Sequence, residues 1–270
     1  MKHGFLFFLL NFNLFFVAGQ VSSQIGARQV GLGNVGATLS DVVAVKNNPG
    51  AFGFFEGTAV NLQYANRFLL NELATQNISF GHQTEAGNVG VFIQQSGFQL
   101  FRQIQIGGTY AMQLSNRIGM GVNLNYHSTR FGDIYGKTQN VSASVGVNYK
   151  LNKKVQFGAS VLNINRAKIS DFQNERLPTL FILGGQFQLS NQIIWLIDLE
   201  KDLSQKLNIK SGLEINANAV FDIRFGINTY PFQSAFGVGI NLNKFTIDIA
   251  SVWHAQIGLT PTIGLTYAFK

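Results

Sequence analysis

Between residues 118 and 151, apolar and polar side chains alternate almost without a break. Ile118, Met120, Val122, Leu124 and Tyr126 take turns with Gly119, Gly121, Asn123, Asn125 and His127. Further on, Val141, Ala143, Val145, Val147, Tyr149 and Leu151 take turns with Ser142, Ser144, Gly146, Asn148 and Lys150. Successive strand residues point to opposite faces, so each segment predicts a strand with one apolar face and one small, polar face. About ten such residues, tilted, suffice to cross a bilayer. A soluble sandwich alternates too, but its outer face is usually charged rather than lined with Gly, Asn and Ser. The expectation is therefore a hairpin of a membrane barrel.

The rest of the chain repeats this hairpin. About fourteen alternating segments follow residue 57, over 58–66, 76–83, 88–95, 102–114, 117–130, 138–151, 154–164, 179–189, 193–200, 206–216, 219–229, 234–243, 245–253 and 262–269. Every second connection is turn-like: 84–87, 115–116, 152–153, 190–192, 217–218 and 243–244, rich in the Asn, Gly and Ser that tight turns use. Most of the others are longer, at 67–75, 96–101, 131–137, 165–178, 230–233 and 254–261. Alternating short and long connections suit an all-β, antiparallel transmembrane barrel with periplasmic turns and external loops. An even strand count puts both ends of the mature chain in the periplasm; twelve strands also fits the pattern. The last segment runs Ile263, Leu265, Tyr267, Phe269 on its outer face and closes on Lys270.

The N-terminal part reads differently. Residues 1–23 begin with Lys2 and His3, continue with a Phe/Leu-rich core and end in small residues, as a secretory signal peptide does; a retained anchor is the alternative. Residues 24–56 lack the two-residue period. Gly26, Gly31, Gly33 and Gly36 interrupt them, 37–46 offers a helical turn or two, and Pro49 with Gly50 ends any helix there in a turn. This segment is expected in the lumen or at the periplasmic mouth as a plug, against the alternative of a disordered leader. The barrel then spans 57–270. The run Gly31-Leu32-Gly33-Asn34-Val35-Gly36 has the outline of a dinucleotide loop but no strand–turn–helix context, so that reading is set aside.

Composition sharpens the picture. Charged residues make up 12% of the 270 positions and hydrophobic ones 46%, with 25 Phe, 29 Gly and no Cys. Soluble domains carry about 25% charge, and no internal apolar run reaches the ~18 residues of a spanning helix. The missing Cys excludes a disulfide framework and a thiolate metal site. The net charge of +7 is spread along the chain, so no nucleic-acid partner is expected. Alternation sends Gln103, Gln105, Asn123, His127, Lys150, Asp198, Glu200, Lys210, Glu214, Asp222, Arg224 and Asp248 into the lumen. The charged members crowd onto neighbouring strands after Trp195. They form either a polar path and charged seat for the plug, involving Arg28, or interior ion pairs bracing a narrow barrel. His127 and Ser128 face opposite ways and cannot pair as base and nucleophile. No metal-ligand, paired-carboxylate or Ser/His/Asp pattern stands out, so neither an enzyme nor a cofactor is expected.

The stretch from Gly26 to Ala37, with Arg28, Gly31, Gly33 and Gly36, then Asp41 and Asn47-Asn48-Pro49-Gly50-Ala51, resembles the N-terminus of the FadL/PorV superfamily. Members show a small-residue run, an acidic residue and an Asn-Pro-Ala plug motif; here Gly50 replaces the Ala. Val161-Leu162-Asn163-Ile164 with Leu177-Pro178, and the closing hairpin 245–269, resemble PorV- and PorQ-type proteins. The resemblance implies a fourteen-stranded barrel of the Gram-negative outer membrane with an N-terminal hatch. Fourteen strands leave little length for large external loops, and the apolar candidates there are 68–70 and 98–101. The expected role is accordingly a PorV/PorQ-like accessory subunit of a type IX-like secretion or envelope-assembly machine, with protein partners in the envelope. The alternative is a FadL-like channel for hydrophobic small molecules.

Overall fold

The computed structural model describes residues 24–132, 136–168 and 176–269; the expected signal peptide lies outside them. Fourteen antiparallel strands close into a barrel in which each strand pairs with its chain neighbours and the first pairs with the last. They are β1 (Thr58–Asn66), β2 (Ala74–Thr84), β3 (Gly87–Phe98), β4 (Phe101–Ser115), β5 (Ile118–Phe131), β6 (Lys137–Lys150), β7 (Val155–Leu162), β8 (Leu180–Gln188), β9 (Ile193–Asp202), β10 (Asn208–Asn216), β11 (Phe221–Thr229), β12 (Phe232–Leu242), β13 (Phe245–His254) and β14 (Gly258–Phe269). Thr58 lies opposite Phe269, so the barrel starts and ends at the rim that carries the short turns.

The hairpin at 118–151 forms in the expected register, with Ile118 opposite Tyr149 and Tyr126 opposite Val141. Its apolar residues point out: Leu124 is 62% exposed and Val141 58%. Outward aromatic residues gather towards both rims. Phe157, Phe187 and Trp195 pack in a row near the short turns, as do Phe245, Tyr267 and Phe269, and Phe232 and Trp253 are exposed near the opposite rim. An exterior this apolar would aggregate in water. Between two aromatic girdles it matches the hydrocarbon layer of a bilayer. No helix among the described residues is long and apolar enough to cross a membrane.

Two of the connections expected to be long are short. Pairing continues to Phe98 opposite Phe101 and to Thr229 opposite Phe232, leaving only 99–100 and 230–231 outside the ladders. The ladder also reaches Gly258, so Pro261 lies within β14, opposite Ser251. Polar residues at these strand ends masked the continuing pairing, because a rim residue has no lipid to face. Between β6 and β7 the opposite occurs: the ladder runs only from Val145 to Lys150. Beyond it Asn165 substitutes for a strand, its Oδ1 accepting from the Ala143 amide and its Nδ2 donating to the Val141 carbonyl.

Residues 24–56 fold inside the ring as three short helices, α1 (Ala27–Gly31), α2 (Ala44–Asn47) and α3 (Pro49–Phe52). The turn expected at Pro49-Gly50 is in fact a helix start. Proline is tolerated at a first helical position, and the Asn48 side chain accepts from the Gly50 amide at 2.9 Å as its cap. α1 was hidden in the sequence by glycines that read as breakers.

Candidate functional site

The inward faces of the strands are rich in glycine because the lumenal segment presses against them. A Cβ added at Gly146 would overlap Asn48 Oδ1, one at Gly121 the Pro49 carbonyl, and one at Gly226 the Gly33 amide. Gly158 and Gly184 in the same way clear space for Ala37, and Gly212 for Leu32. On the segment itself, Gly50 lies against the Val147 backbone, and Gly31 against Gly237. Gly33, at φ +73, also needs a conformation that L side chains rarely adopt. The small polar lumen face is therefore a fitted seat.

One side of that seat is dry. Ile25, Val42, Val43, Val45, Phe52 and Phe55 join Ala59, Phe92 and Ala111 of the wall in one apolar cluster. Asn47 ties the segment to itself, accepting from the Ile25 amide at 2.9 Å and donating to the Ile25 carbonyl at 2.8 Å. Asn48 Nδ2 donates to the Ala37 carbonyl at 2.5 Å. Lys46 enters this side buried, donating to Gln94 Oε1 at 2.5 Å with the Phe92 ring 5.8 Å away. Burial pushes its amine down to about 7.

The other side is charged. Arg28 of α1 reaches β10 with a bidentate pair to Glu214, at 2.8 and 2.6 Å, and lies 3.6 Å from Asp41. Glu214 also accepts from Arg224 at 2.7 Å, and Arg224 extends to Asp248 at 2.6 Å and Asp222 at 3.3 Å. Burial alone would lower the pKa of the Arg28 guanidinium, but Glu214 beside it more than reverses that and holds it above its ordinary value. Burial pushes the Asp41 carboxyl upwards, with Arg28 and Gln29 pulling the other way. A polar cavity of about 260 Å³ adjoins this network, bounded by Arg28, Asp41, Asn61, Asp222, Asp248 and Thr266 among others.

The charged residues read as one group thus separate into three. Arg28, Asp41, Glu214, Asp222, Arg224 and Asp248 form the network. Asp198 lies apart, accepting from the Gly36 and Ala37 amides at 2.8 and 3.1 Å. Lys210 and Glu200 form a separate pair at 2.8 Å. Sequence reasoning missed Gln29, Lys46 and Asn61. Lys46 carried a signal, a lone cation in the run Val42 to Val45, but Gln29 and Asn61 carried none. It also missed that His127 Nε2 meets Ser142 Oγ at 2.8 Å across the β5–β6 ladder. Strands β4, β5 and β6 contain no Asp or Glu to complete a triad with that pair.

No protein-family model matches this sequence, and no curated protein matches it. Solved structures do match in shape. The Pseudomonas putida toluene transporter TodX superposes with a TM-score of 0.67 at 11% identity, over 92% of this chain and 99% of that one. In fold, this chain is like TodX. A TodX monoaromatic hydrocarbon channel mutant gives 0.69 at 10% identity, over 93% and 100% of the two chains. A Pseudomonas aeruginosa FadL homologue gives 0.64 at 11%, over 92% and 99%. The barrel of Acinetobacter baumannii Omp33, described as an outer membrane protein, gives 0.52 at 5% identity, over 80% and 100%. These neighbours share the closed barrel.

Proposed function

We propose that this chain is an integral barrel of the Gram-negative outer membrane, both termini periplasmic, that passes small hydrophobic solutes past a releasable N-terminal plug. The carrying observation is the asymmetric seat: the segment inside the barrel is held by apolar packing on one side and by ion pairs beside a cavity on the other. The shape shared with a toluene transporter and a FadL homologue supports this reading. So does the apolar outer rim, where Leu69, Leu70 and Leu73 of the β1–β2 connection lie exposed, as do Phe98 and Leu100 around the β3–β4 connection. The upper lumen offers Gln94, Gln105, Asn125 and His127, so an apolar solute would be captured at the rim and would pass the polar interior without a long-lived site. The test is uptake of labelled toluene into proteoliposomes. A rate above that of protein-free vesicles supports transport, and an equal rate removes it.

A second reading, a PorV/PorQ-like accessory subunit, is favoured by one observation: a filled lumen together with an exposed apolar rim is what a docking barrel would carry. Gentle-detergent purification from native membranes separates the two. Reproducible co-purification of envelope proteins, lost on Leu69→Ser/Leu100→Ser substitution, supports the accessory role; recovery of the barrel alone removes it.

A further inference from the structure

The ion pairs that hold α1 leave negative charge over. Four carboxylates border the polar cavity, Asp41, Glu214, Asp222 and Asp248, against two guanidinium groups, Arg28 and Arg224. Among the described residues no Lys or His and no further Arg lines it. Glu214 takes a bond from each arginine. Asp222 and Asp248 divide what remains of Arg224, and Asp41 has Arg28 only at 3.6 Å. The excess of two charges therefore falls at two places, Asp41 on the plug and the Asp222–Asp248 pair on the wall. Burial pushes the Asp41 carboxyl upwards, so protonation is the competing way to settle that charge; it leaves Asp222 and Asp248 sharing one guanidinium.

The unused hydrogen-bonding capacity has the same sign. Gln29 is 1% exposed and Asn61 4%, and both line the cavity. Their amide nitrogens are engaged, Gln29 Nε2 with Asp41 at 2.8 Å and Asn61 Nδ2 with Thr266 at 2.9 Å. Gln29 Oε1, Asn61 Oδ1 and Asp41 Oδ1 are buried and accept from nothing in the protein. Gln29 Oε1 lies against Gly26, itself part of the lining. Buried acceptors are ordinarily satisfied by protein, water or an ion, and here the unmatched atoms around one cavity are all acceptors. A donating cation fits them. A directly coordinated metal fits poorly, because among the described residues no three Asp, Glu, His or Cys are placed to hold one. An ammonium group instead brings three donors on a compact charge, and two of them on one chain match two separate centres of negative charge. The cavity, at about 260 Å³, is far larger than the ~30 Å³ of one water. It lies towards the short-turn rim, since Asn216 faces Asp222 at the last pair before the β10–β11 turn.

We propose that this cavity binds a small aliphatic diamine, one ammonium at Asp41 and Gln29 and the other at Asp222 and Asp248, with its carbon stem along Val42 and Val43. Asn61 supplies a further acceptor. The ligand bridges the plug to the wall and holds the segment seated. The inference deepens the proposed function and rests on its seated plug, but not on the transported solute.

The test is isothermal titration calorimetry on the full barrel, folded in uncharged detergent at neutral pH and low salt. The probes are 1,4-diaminobutane, butylamine and Mg²⁺. Wild-type barrel is expected to bind diaminobutane about tenfold or more tightly than butylamine, the worth of one charge-assisted hydrogen bond at about 1.4 kcal/mol per tenfold. Asp41→Asn, on the plug, and Asp248→Asn, on the wall, should each bring diaminobutane down to the butylamine level, because a diamine with one bank left binds as a monoamine. A merely loosened plug would instead weaken both amines alike, and that result overturns the bridge. A Glu85→Gln control, at the β2–β3 turn and outside the cavity, is expected to bind as wild type; an equal loss there overturns the site. Equal binding of the two amines to wild type overturns the dication, and Mg²⁺ binding as tightly as diaminobutane overturns the diamine. No binding of any probe leaves the oxygens to water and protons and overturns the inference. Diamine binding without toluene uptake supports this site and removes the transport reading; uptake without diamine binding does the reverse.

Discussion

The two sides of the lumenal segment are held by different physics. Towards β2–β6, Phe52, Phe55, Val45 and Phe92 form a dry contact against bare strand glycines. Towards β10–β13, Arg28 hangs on Glu214, and Arg224 links Glu214 to Asp222 and Asp248 beside a 260 Å³ cavity. Apolar attraction is non-directional and grows with area, so the dry side releases only as a whole. The charged side adds directional ion pairs to a smaller apolar contact, Val30 on Ala235, Ala250 and Val252, and each ion pair can be exchanged singly. Under the proposed release, β2–β6 is the anchor and α1 against β10–β13 the part expected to move.

The largest expected effect comes from Glu214→Ala. It leaves the buried Arg224 and the half-buried Arg28 without the carboxylate they share, a loss of about 3–5 kcal/mol for a broken buried pair. α1 should leave the wall, and planar-bilayer recordings should show higher and noisier conductance while the far-UV spectrum of the barrel persists. Unchanged conductance would mean that the charged side is no gate. Gly146→Val strikes the anchor instead. Its side chain would collide with Asn48 and α3, and overpacking of this kind costs about 1–3 kcal/mol. A lower melting temperature without the conductance change of Glu214→Ala would sharpen the contrast; identical behaviour of the two variants would break it.

Lys46 gives the contrast a pH dependence. Its seated amine titrates near 7, below the ordinary 10.5. Between these values the released segment binds more protons than the seated one, so seating strengthens as pH rises from about 7 to 10.5 and is weakest, and level, below about 7. Lys46→Met should abolish that slope in melts recorded from pH 6 to 10 and stabilise the seat by about 1–3 kcal/mol. A slope that survives the substitution would assign the effect elsewhere. Asn48→Ala removes the α3 cap, about 1 kcal/mol, and leaves the buried Ala37 carbonyl without its donor, about 1–3 kcal/mol more. Hydrogen exchange should then quicken at the Gly50 amide and leave the β10–β13 ladders unchanged.

The barrel was legible in the chain because lipid on one face and lumen on the other impose a two-residue period, as in Ile118 to Tyr126. What stayed hidden depends on contacts far apart in sequence. Gly146 and Gly226 look like fillers of a polar face until Asn48 and Gly33 are placed against them. The charges on β9–β11 read as one group, and only the course of residues 28–41 separates Asp198 from the Arg28 network. Pro49 read as a stop although Asn48 before it is a local start signal, an N-cap followed by proline at the first helical position.

Tethering α1 to the wall tests the hinge directly. The chain has no cysteine, so a pair can be introduced without competitors. A Cβ at residue 31 would lie 3.5 Å from that of Ala250, at the close end of the ~3.5–4.5 Å disulfide range, and needs a small shift from the Gly237 Cα at 3.0 Å. For Gly31→Cys/Ala250→Cys, labelled-toluene uptake into proteoliposomes should stop on oxidation and recover fully on reduction. Equal uptake in the oxidised and reduced forms would contradict a plug that opens by releasing α1 from β10–β13.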